Sequence, residues 1–417
     1  MAYVSRGTPM SSLRALRPLL PILIGASIML TMSMGLRQSL GVLMPALTKD
    51  VGVSVSQFTL AIAVQNLVWG FLQPFAGAWA VRVGYRKVMM VGSVLYVLGM
   101  VLLATAHGML GITLGAGFAI GASMACTGSA IAMAVASRAV SAAVRSTVLG
   151  IVSAAGSLGA MLAAPIGQAL SQEYGWRVGA YGFVLLALII VPSAWYAGRV
   201  DALPTPPSPR GEQNSAWAAT IQALKHPPFA VMTVAYFVCG MQLVFLTTHL
   251  PSYLDSCGLD PMLSAQALGM IGGFNILGSL FFGWAGGRWN KLLLLGGMYT
   301  LRSLGIAWYF LSDASPANTL VFAAIMGFLW MGVGPLVAGY IGDNFGLRWQ
   351  AMLGGVAFMT HQIGSFFGAF GGGLVFDALG SYTLALQVGV ALGLTAGLVQ
   401  MAFAVARPGK PPSLATA

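Results

Sequence analysis

The chain has 417 residues, of which 58% are hydrophobic and 7% charged, with a net charge of +11. Soluble globular proteins carry about 25% charged residues, so a mainly water-facing surface is excluded and most of the exterior must face lipid. The 55 glycines suit closely packed membrane helices, and without a three-residue period they exclude a collagen-like chain. A bilayer core about 30 Å thick needs about 20 apolar residues per helix. Twelve such stretches occur in order: 19–46, 57–80, 88–107, 110–137, 146–171, 177–197, 228–251, 262–286, 292–311, 316–342, 350–375 and 382–406. The basic start (Arg6, Arg14, Arg17) runs into the first stretch without a small-residue cleavage site, so that stretch reads as a retained helix. The one long polar break, 198–227, contains DALPTPPSPRGEQNS, whose prolines and small polar residues make a linker. The expected fold is therefore an all-α integral membrane protein of twelve transmembrane helices. It divides into a bundle at 1–197, a linker at 198–227 and a bundle at 228–417.

Charge sets the expected orientation. With the N-terminus in the cytoplasm, 16 of the 20 Lys and Arg fall on the cytoplasmic side. Only Lys49 and Arg177 fall outside, and Arg37 and Arg302 lie within helices. That asymmetry follows the positive-inside rule, so the basic excess marks topology and no nucleic-acid partner. Both termini are then cytoplasmic. The three cysteines, Cys126, Cys239 and Cys257, lack motif spacing and read as small hydrophobes; no metal or cofactor is expected. The halves also repeat. Gly77 and Arg82 precede Gly283 and Arg288 by 206 positions, and Gly159, Gly167 and Gly175 precede Gly364, Gly372 and Gly380 by 205. Copies six helices apart share orientation, which makes a parallel repeat.

The run GAWAVRVGYRK resembles the major facilitator superfamily signature between its second and third helices, Gly-x-x-x-Asp-Arg-x-Gly-x-Arg-Lys. Gly77, Arg82, Gly84, Arg86 and Lys87 match, and Val81 replaces the acidic residue. In that family the carboxylate helps latch the cytoplasmic gate, so Val81 puts the usual latch in question, and Arg82, Arg86 and Lys87 are expected gating residues. YGWR before the sixth helix, FVCGMQLVFLTTHLPSYL in the seventh and GLRQSLGVLMPAL in the first resemble the bacterial monocarboxylate and oxalate–formate carrier branch. The resemblance implies alternating access by two rocking bundles in the bacterial inner membrane.

The polar residues inside the helices point to cargo. All nine acidic residues fall in loops or near helix ends, so a cation carrier's midplane carboxylate is missing. Arg37 lies inside the first helix. A guanidinium there stays charged at about 2.5–3.5 kcal/mol on insertion scales and suits a carboxylate, with snorkelling or a structural bond as the bland reading. Gln65, Asn66, Gln242, Asn275, His361 and Gln362 fall near mid-depth. Each amide is by itself helix–helix glue, and together they outline a polar cavity. His361 could carry a proton or stay a neutral hydrogen-bonding group. Arg302 in the ninth helix reads more readily as a structural bond than as a cavity residue. Trp69, Tyr236, Phe245, Trp330 and Phe366 could wall an apolar pocket, and His249 lies near the outer end. Arg138 and Asp343 are 205 apart with opposite charge, which predicts a gating salt bridge between the halves.

The expected function is a monomeric secondary carrier of a small organic anion, a monocarboxylate, with a proton as an open choice of co-substrate. An exporter of drugs or neutral metabolites is the alternative, although the glycine ladder of antiporters is poorly matched by Gly156, Gly159, Pro165 and Gly167. No nucleophile–base pair, zinc spacing or nucleotide loop supports an enzyme.

Overall fold

The computed structural model describes residues 17–206, 208, 215–259 and 261–406. Arg6, Arg14, Arg210, Arg407 and Lys410, which belong to the cytoplasmic set above, lie outside them. The helical segments are α1 (Leu20–Val51), α2 (Val55–Val83), α3 (Tyr85–Ala104), α4 (Met109–Ala139), α5 (Ala142–Tyr174), α6 (Trp176–Ala202), α7 (Pro227–Ser256), α8 (Pro261–Ala285), α9 (Lys291–Leu311), α10 (Pro316–Phe345), α11 (Gln350–Phe366, continued through Phe367–Gly371 to Leu379) and α12 (Thr383–Ala406). Ten are long and apolar enough to cross a membrane; α9 and α11 complete the set. A last turn, Gly198–Ala202, carries α6 into the expected linker, and a short helix, Ala216–Leu224, forms within it. We call the end of the molecule that bears this linker the linker end, and the opposite one the far end.

Local sequence sets the starts. Ser54 and Gln57 close a capping box at α2, the Ser54 hydroxyl accepting from the Gln57 amide at 3.1 Å. Asn290 accepts the Leu292 and Leu293 amides at α9, and Ser315 caps α10 ahead of Pro316. Two apolar cores form. One is built from residues of α1–α6 with Ala351 added, the other from residues between Ala219 and Ala404. Large apolar side chains also remain exposed on many helices, among them Leu110, Phe75, Leu185, Val234 and Leu311. In water such a surface would aggregate; in a bilayer it is the solvated face.

The repeat is visible in the backbone. Gly159 of α5 lies so close to the Thr31 carbonyl of α1 that no Cβ fits, and Gly364 of α11 lies in the same way against the Phe237 carbonyl of α7. Those pairs are related by offsets of 205 and 206 positions, so each half packs its first helix on its fifth through a glycine at an equivalent position. The fourth and eleventh segments each contain a wide, π-type turn, Thr113–Ala119 and Phe367–Gly371. Such a turn releases a carbonyl from the helical ladder. A neighbouring helix meets each one: Gln65 Nε2 donates to Ala116 O at 2.5 Å, and His249 Nε2 bonds Ala369 O at 2.9 Å.

Candidate functional site: a polar cluster between the bundles

Four of the sequence-selected residues come together where α1, α2 and α11 meet. Arg37 sits near the middle of α1, half-buried, and donates through Nη2 to Asn66 Oδ1 on α2. Gln362 of α11 reaches the same residue from the opposite bundle, its Nε2 lying 3.1 Å from Asn66 O and 3.4 Å from Asn66 Oδ1. His361 comes next, its Nδ1 3.3 Å from Gln362 Oε1 and 3.4 Å from Ser365 Oγ. Gly70 permits this crossing, because a Cβ there would stand 2.7 Å from Gln362 Cβ. Arg37 Nε has no hydrogen-bond partner.

An aromatic wall supports the group. The Arg37 guanidinium lies 5.0 Å from the Trp69 ring centre, a cation–π contact worth about 0.5–2 kcal/mol. Trp69 is held by its indole N–H, which donates to Gln73 Oε1 at 2.9 Å, while Gln73 Nε2 donates to Ala125 O at 2.8 Å. Across the bundles Phe358 packs on Trp69 at 4.5 Å, stacks on His361 at 5.3 Å, and meets Tyr236, itself 4.8 Å from His361. Trp69 and Phe358 each lie one turn nearer the linker end than Asn66 and Gln362, so they close off the polar cluster on that side.

The other candidates sit inside their own bundles. Gln65 serves the α4 turn. Gln242 donates to Ser303 Oγ and Gly389 O, both at 2.9 Å, binding α7 to α9 and α12. Asn275 is buried in α8 with no partner for its Oδ1. Arg302 is fully buried and donates to Cys239 Sγ at 3.1 Å and Leu329 O at 2.7 Å, where the first part of α10 ends. Of the expected aromatics, Phe245 packs on His249 and Tyr382, Phe366 stacks on Phe370, and Trp330 packs against the second core. Arg302→Ala is expected to destabilise the protein by about 2–5 kcal/mol, through a cavity and an orphaned carbonyl. It should leave ligand affinity within about threefold. Thermal melts with and without ligand check both.

No described carboxylate lies at the Arg37 level. Asp50 is at the far end, where it accepts from Trp176 Nε1 at 3.0 Å and pairs with Arg177 at 3.4 Å. Glu173, Asp313 and Asp377 are exposed near helix ends. Asp201 closes α6 at the linker end and accepts the Tyr85 and Arg86 amides at 2.8 and 2.9 Å, capping α3.

The halves are also tied at the linker end. The expected Arg138–Asp343 pair is absent. Arg138 donates to the carbonyls of Asp201 and Leu203, and Asp343 instead binds Arg145 of α5 across the bundles at 3.7 Å and Lys291 of α9 at 2.7 Å. Gln350 Nε2 donates to Ser137 Oγ at 2.8 Å, and Ser153 and Ser279 hydroxyls meet at 3.2 Å. Val81 packs against the second core, and Gly77 lies on the Ala351–Met352 backbone. Where the family signature has a carboxylate, this chain therefore makes an apolar contact. Arg86 stacks on Trp195 at 4.7 Å, and Arg82 and Lys87 are exposed. No motif or depth signal marks Arg145, Asp201 or Phe358 in the sequence, although each joins a site above.

Two six-helix halves that meet through a cluster of polar side chains midway along their helices define a multi-pass membrane transporter. The chain belongs to the Major Facilitator Superfamily, whose profile matches residues 26–369. It is 26% identical over 336 residues to monocarboxylate transporter 13 of Rattus norvegicus, spanning 79% of this chain and 75% of that protein. It is 22% identical over 372 residues to the uncharacterized MFS-type transporter YcxA of Bacillus subtilis (strain 168), spanning 82% and 84%. In fold it is similar to the major facilitator transporter FucP in the outward conformation, at a TM-score of 0.71 and 14% identity over 91% of this chain and 98% of that one. The proton:xylose symporter XylE gives a TM-score of 0.69 at 12% identity, over 94% and 96%.

Proposed function

We propose that this protein is a secondary active carrier of a small organic monoanion, a monocarboxylate, with Arg37 as the carboxylate receptor. The observation that supports this reading most directly is a half-buried guanidinium at mid-depth with no carboxylate beside it among the described residues. A charge so placed needs compensation, and a planar fork of donors is matched by a carboxylate. Arg302 is fully buried inside the second bundle against Cys239 and the Leu329 carbonyl, which leaves Arg37 as the half-buried cation at the meeting of the two bundles. The aromatic wall of Trp69, Phe358 and Tyr236 suits a short apolar tail. The named relatives in rat and cattle are monocarboxylate transporters. The charge asymmetry supports an orientation in the bacterial inner membrane with the linker end in the cytoplasm.

Anion uptake against an inside-negative potential costs about 2.3 kcal/mol per 100 mV, so net uptake needs a co-transported proton or an exchanged anion. His361, in contact with Gln362, is the imidazole of this cluster, either a proton carrier or a neutral hydrogen-bonding group. The test is thermal stabilisation of the purified protein by pyruvate, with pyruvamide and choline as neutral and cationic controls. It is followed by labelled pyruvate uptake into proteoliposomes with and without an inward acid gradient. Stabilisation by the anion alone is expected, because ligand at 100 times Kd adds about 2.7 kcal/mol. Stabilisation by pyruvamide or choline and not by pyruvate or lactate overturns the reading.

A further inference from the structure

The geometry points to Asn66 as a neutral stand-in for the cargo carboxylate: the incoming anion takes the position of its Oδ1 and so becomes the acceptor that joins the two bundles. This rests on Arg37 being the anion receptor. Two donors from opposite halves converge on Asn66 Oδ1, Arg37 Nη2 from α1 and Gln362 Nε2 from α11 at 3.4 Å. An atom that collects a guanidinium and a carboxamide donor marks where a carboxylate oxygen would bind. Asparagine meets the hydrogen-bonding need of Arg37 without meeting its need for charge. The guanidinium is therefore held in place, yet remains attractive to an anion. The bond to Asn66 has an ionised donor but a neutral acceptor; a carboxylate adds the opposite charge and a second parallel bond, so it displaces the amide oxygen.

The surroundings fit an exchange. Arg37 and Asn66 are half-buried and so partly accessible, while Gln362 is buried and fixed against α2 by the Gly70 crossing. Gln362 also holds Asn66 O at 3.1 Å, which keeps its Nε2 aimed at the site when Oδ1 leaves. Arg37 Nε is buried and has no hydrogen-bond partner among the described residues, and it is the N–H beside Nη2 that a bidentate carboxylate would engage. Trp69, fixed through Gln73, holds the guanidinium plane throughout. Occupancy is thereby read at the contact between α2 and α11, the helices that must separate if the linker end is to open. An aspartate at position 66 would serve the same donors and neutralise Arg37 permanently, which explains why an amide rather than an acid belongs there.

Purified full-length Asn66→Asp, Asn66→Ala, Asn66→Ser and Arg37→Met are compared with the unaltered chain by pyruvate-dependent thermal shift and by isothermal titration. Asn66→Asp is expected to melt at or above the unaltered chain without ligand and to bind pyruvate at least about 30-fold more weakly, its own carboxylate occupying the site. Asn66→Ala is expected to bind pyruvate as well as the unaltered chain or up to about 10-fold more tightly, because the competing acceptor is gone. Asn66→Ser, whose side chain is too short to reach Arg37, should behave like Asn66→Ala and substitutes for it if that variant does not fold. Pyruvate affinity in Asn66→Asp within about threefold of the unaltered chain overturns the inference. So does complete loss of binding in a folded Asn66→Ala or Asn66→Ser, since Asn66 would then be a contact and not a surrogate. Undiminished binding in Arg37→Met removes the reading on which the inference rests, and with it the inference.

Discussion

Arg37→Met is expected to abolish pyruvate binding, with a loss of more than roughly 100-fold in affinity, while the protein melts within a few degrees of the unaltered chain. The affinity follows from the bonds removed. Two charge-assisted hydrogen bonds, at about 1.5–3 kcal/mol each, exceed the roughly 2.7 kcal/mol that corresponds to 100-fold. Near-constant stability follows from two opposing terms. Removing a mid-bilayer charge gains about 2.5–3.5 kcal/mol on insertion scales, and losing the bond to Asn66 removes a similar amount. Methionine keeps most of the packing on Trp69. Arg37→Lys separates charge from geometry: it keeps the cation and loses the fork, so intermediate affinity is expected. Isothermal titration and melting curves measure both effects. Binding unchanged in Arg37→Met would remove Arg37 from the site, and binding fully retained in Arg37→Lys would mean that charge alone selects the cargo.

Apolar length and the glycine offsets were enough to place twelve helices and a parallel repeat, since both are properties of the chain alone. The first segment, expected at 19–46, runs to Val51 because the apolar pattern thins before the helix ends; Gly52, at φ 71°, is what closes it. The wide turns in α4 and α11 were not legible, since an insertion of one residue into a helix has no compositional mark. Within the site, depth was legible and facing was not. Gln65 and Asn66 are neighbours, and at 3.6 residues per turn they point about 100° apart. Asn66 turns to Arg37 and Gln65 to the α4 turn. The same ambiguity hid Phe358, an apolar residue on an apolar helix until its partner Trp69 is known. Arg138 and Asp343 occupy equivalent repeat positions, but equivalence by a two-fold relation does not bring side chains into contact. The last turn of α4 directs Arg138 to the carbonyls of Asp201 and Leu203, and the first turn of α5 presents Arg145 to Asp343 instead.

Asp343→Asn is expected to shift the carrier toward opening at the linker end far more than Arg145→Gln does. Asp343 serves two cations. Its partners Arg145 and Lys291 have side chains only 12% and 14% exposed, while the carboxylate itself is 41% exposed. Arg145→Gln removes one link between the bundles and leaves the Lys291–Asp343 pair inside its own half. For a partly solvated pair that is worth about 0–1 kcal/mol, a shift below roughly fivefold. Asp343→Asn removes the link and also leaves two shielded positive charges facing one another across the interface. They can be relieved only by separation, which exposes both to water. A change of about 1–3 kcal/mol is expected, or roughly 5–150-fold in the ratio of open to closed. A cysteine placed at Ser137, which is buried beneath Gln350, reports the change when Cys257, the exposed native thiol, is replaced by serine. Its labelling rate should rise strongly in Asp343→Asn, weakly in Arg145→Gln, and return toward the starting value when Asp343→Asn is combined with Arg145→Gln, because one of the two opposed charges is then gone. Equal rates in the two single variants would mean that the ion pair itself, rather than the charge it screens, holds this end closed.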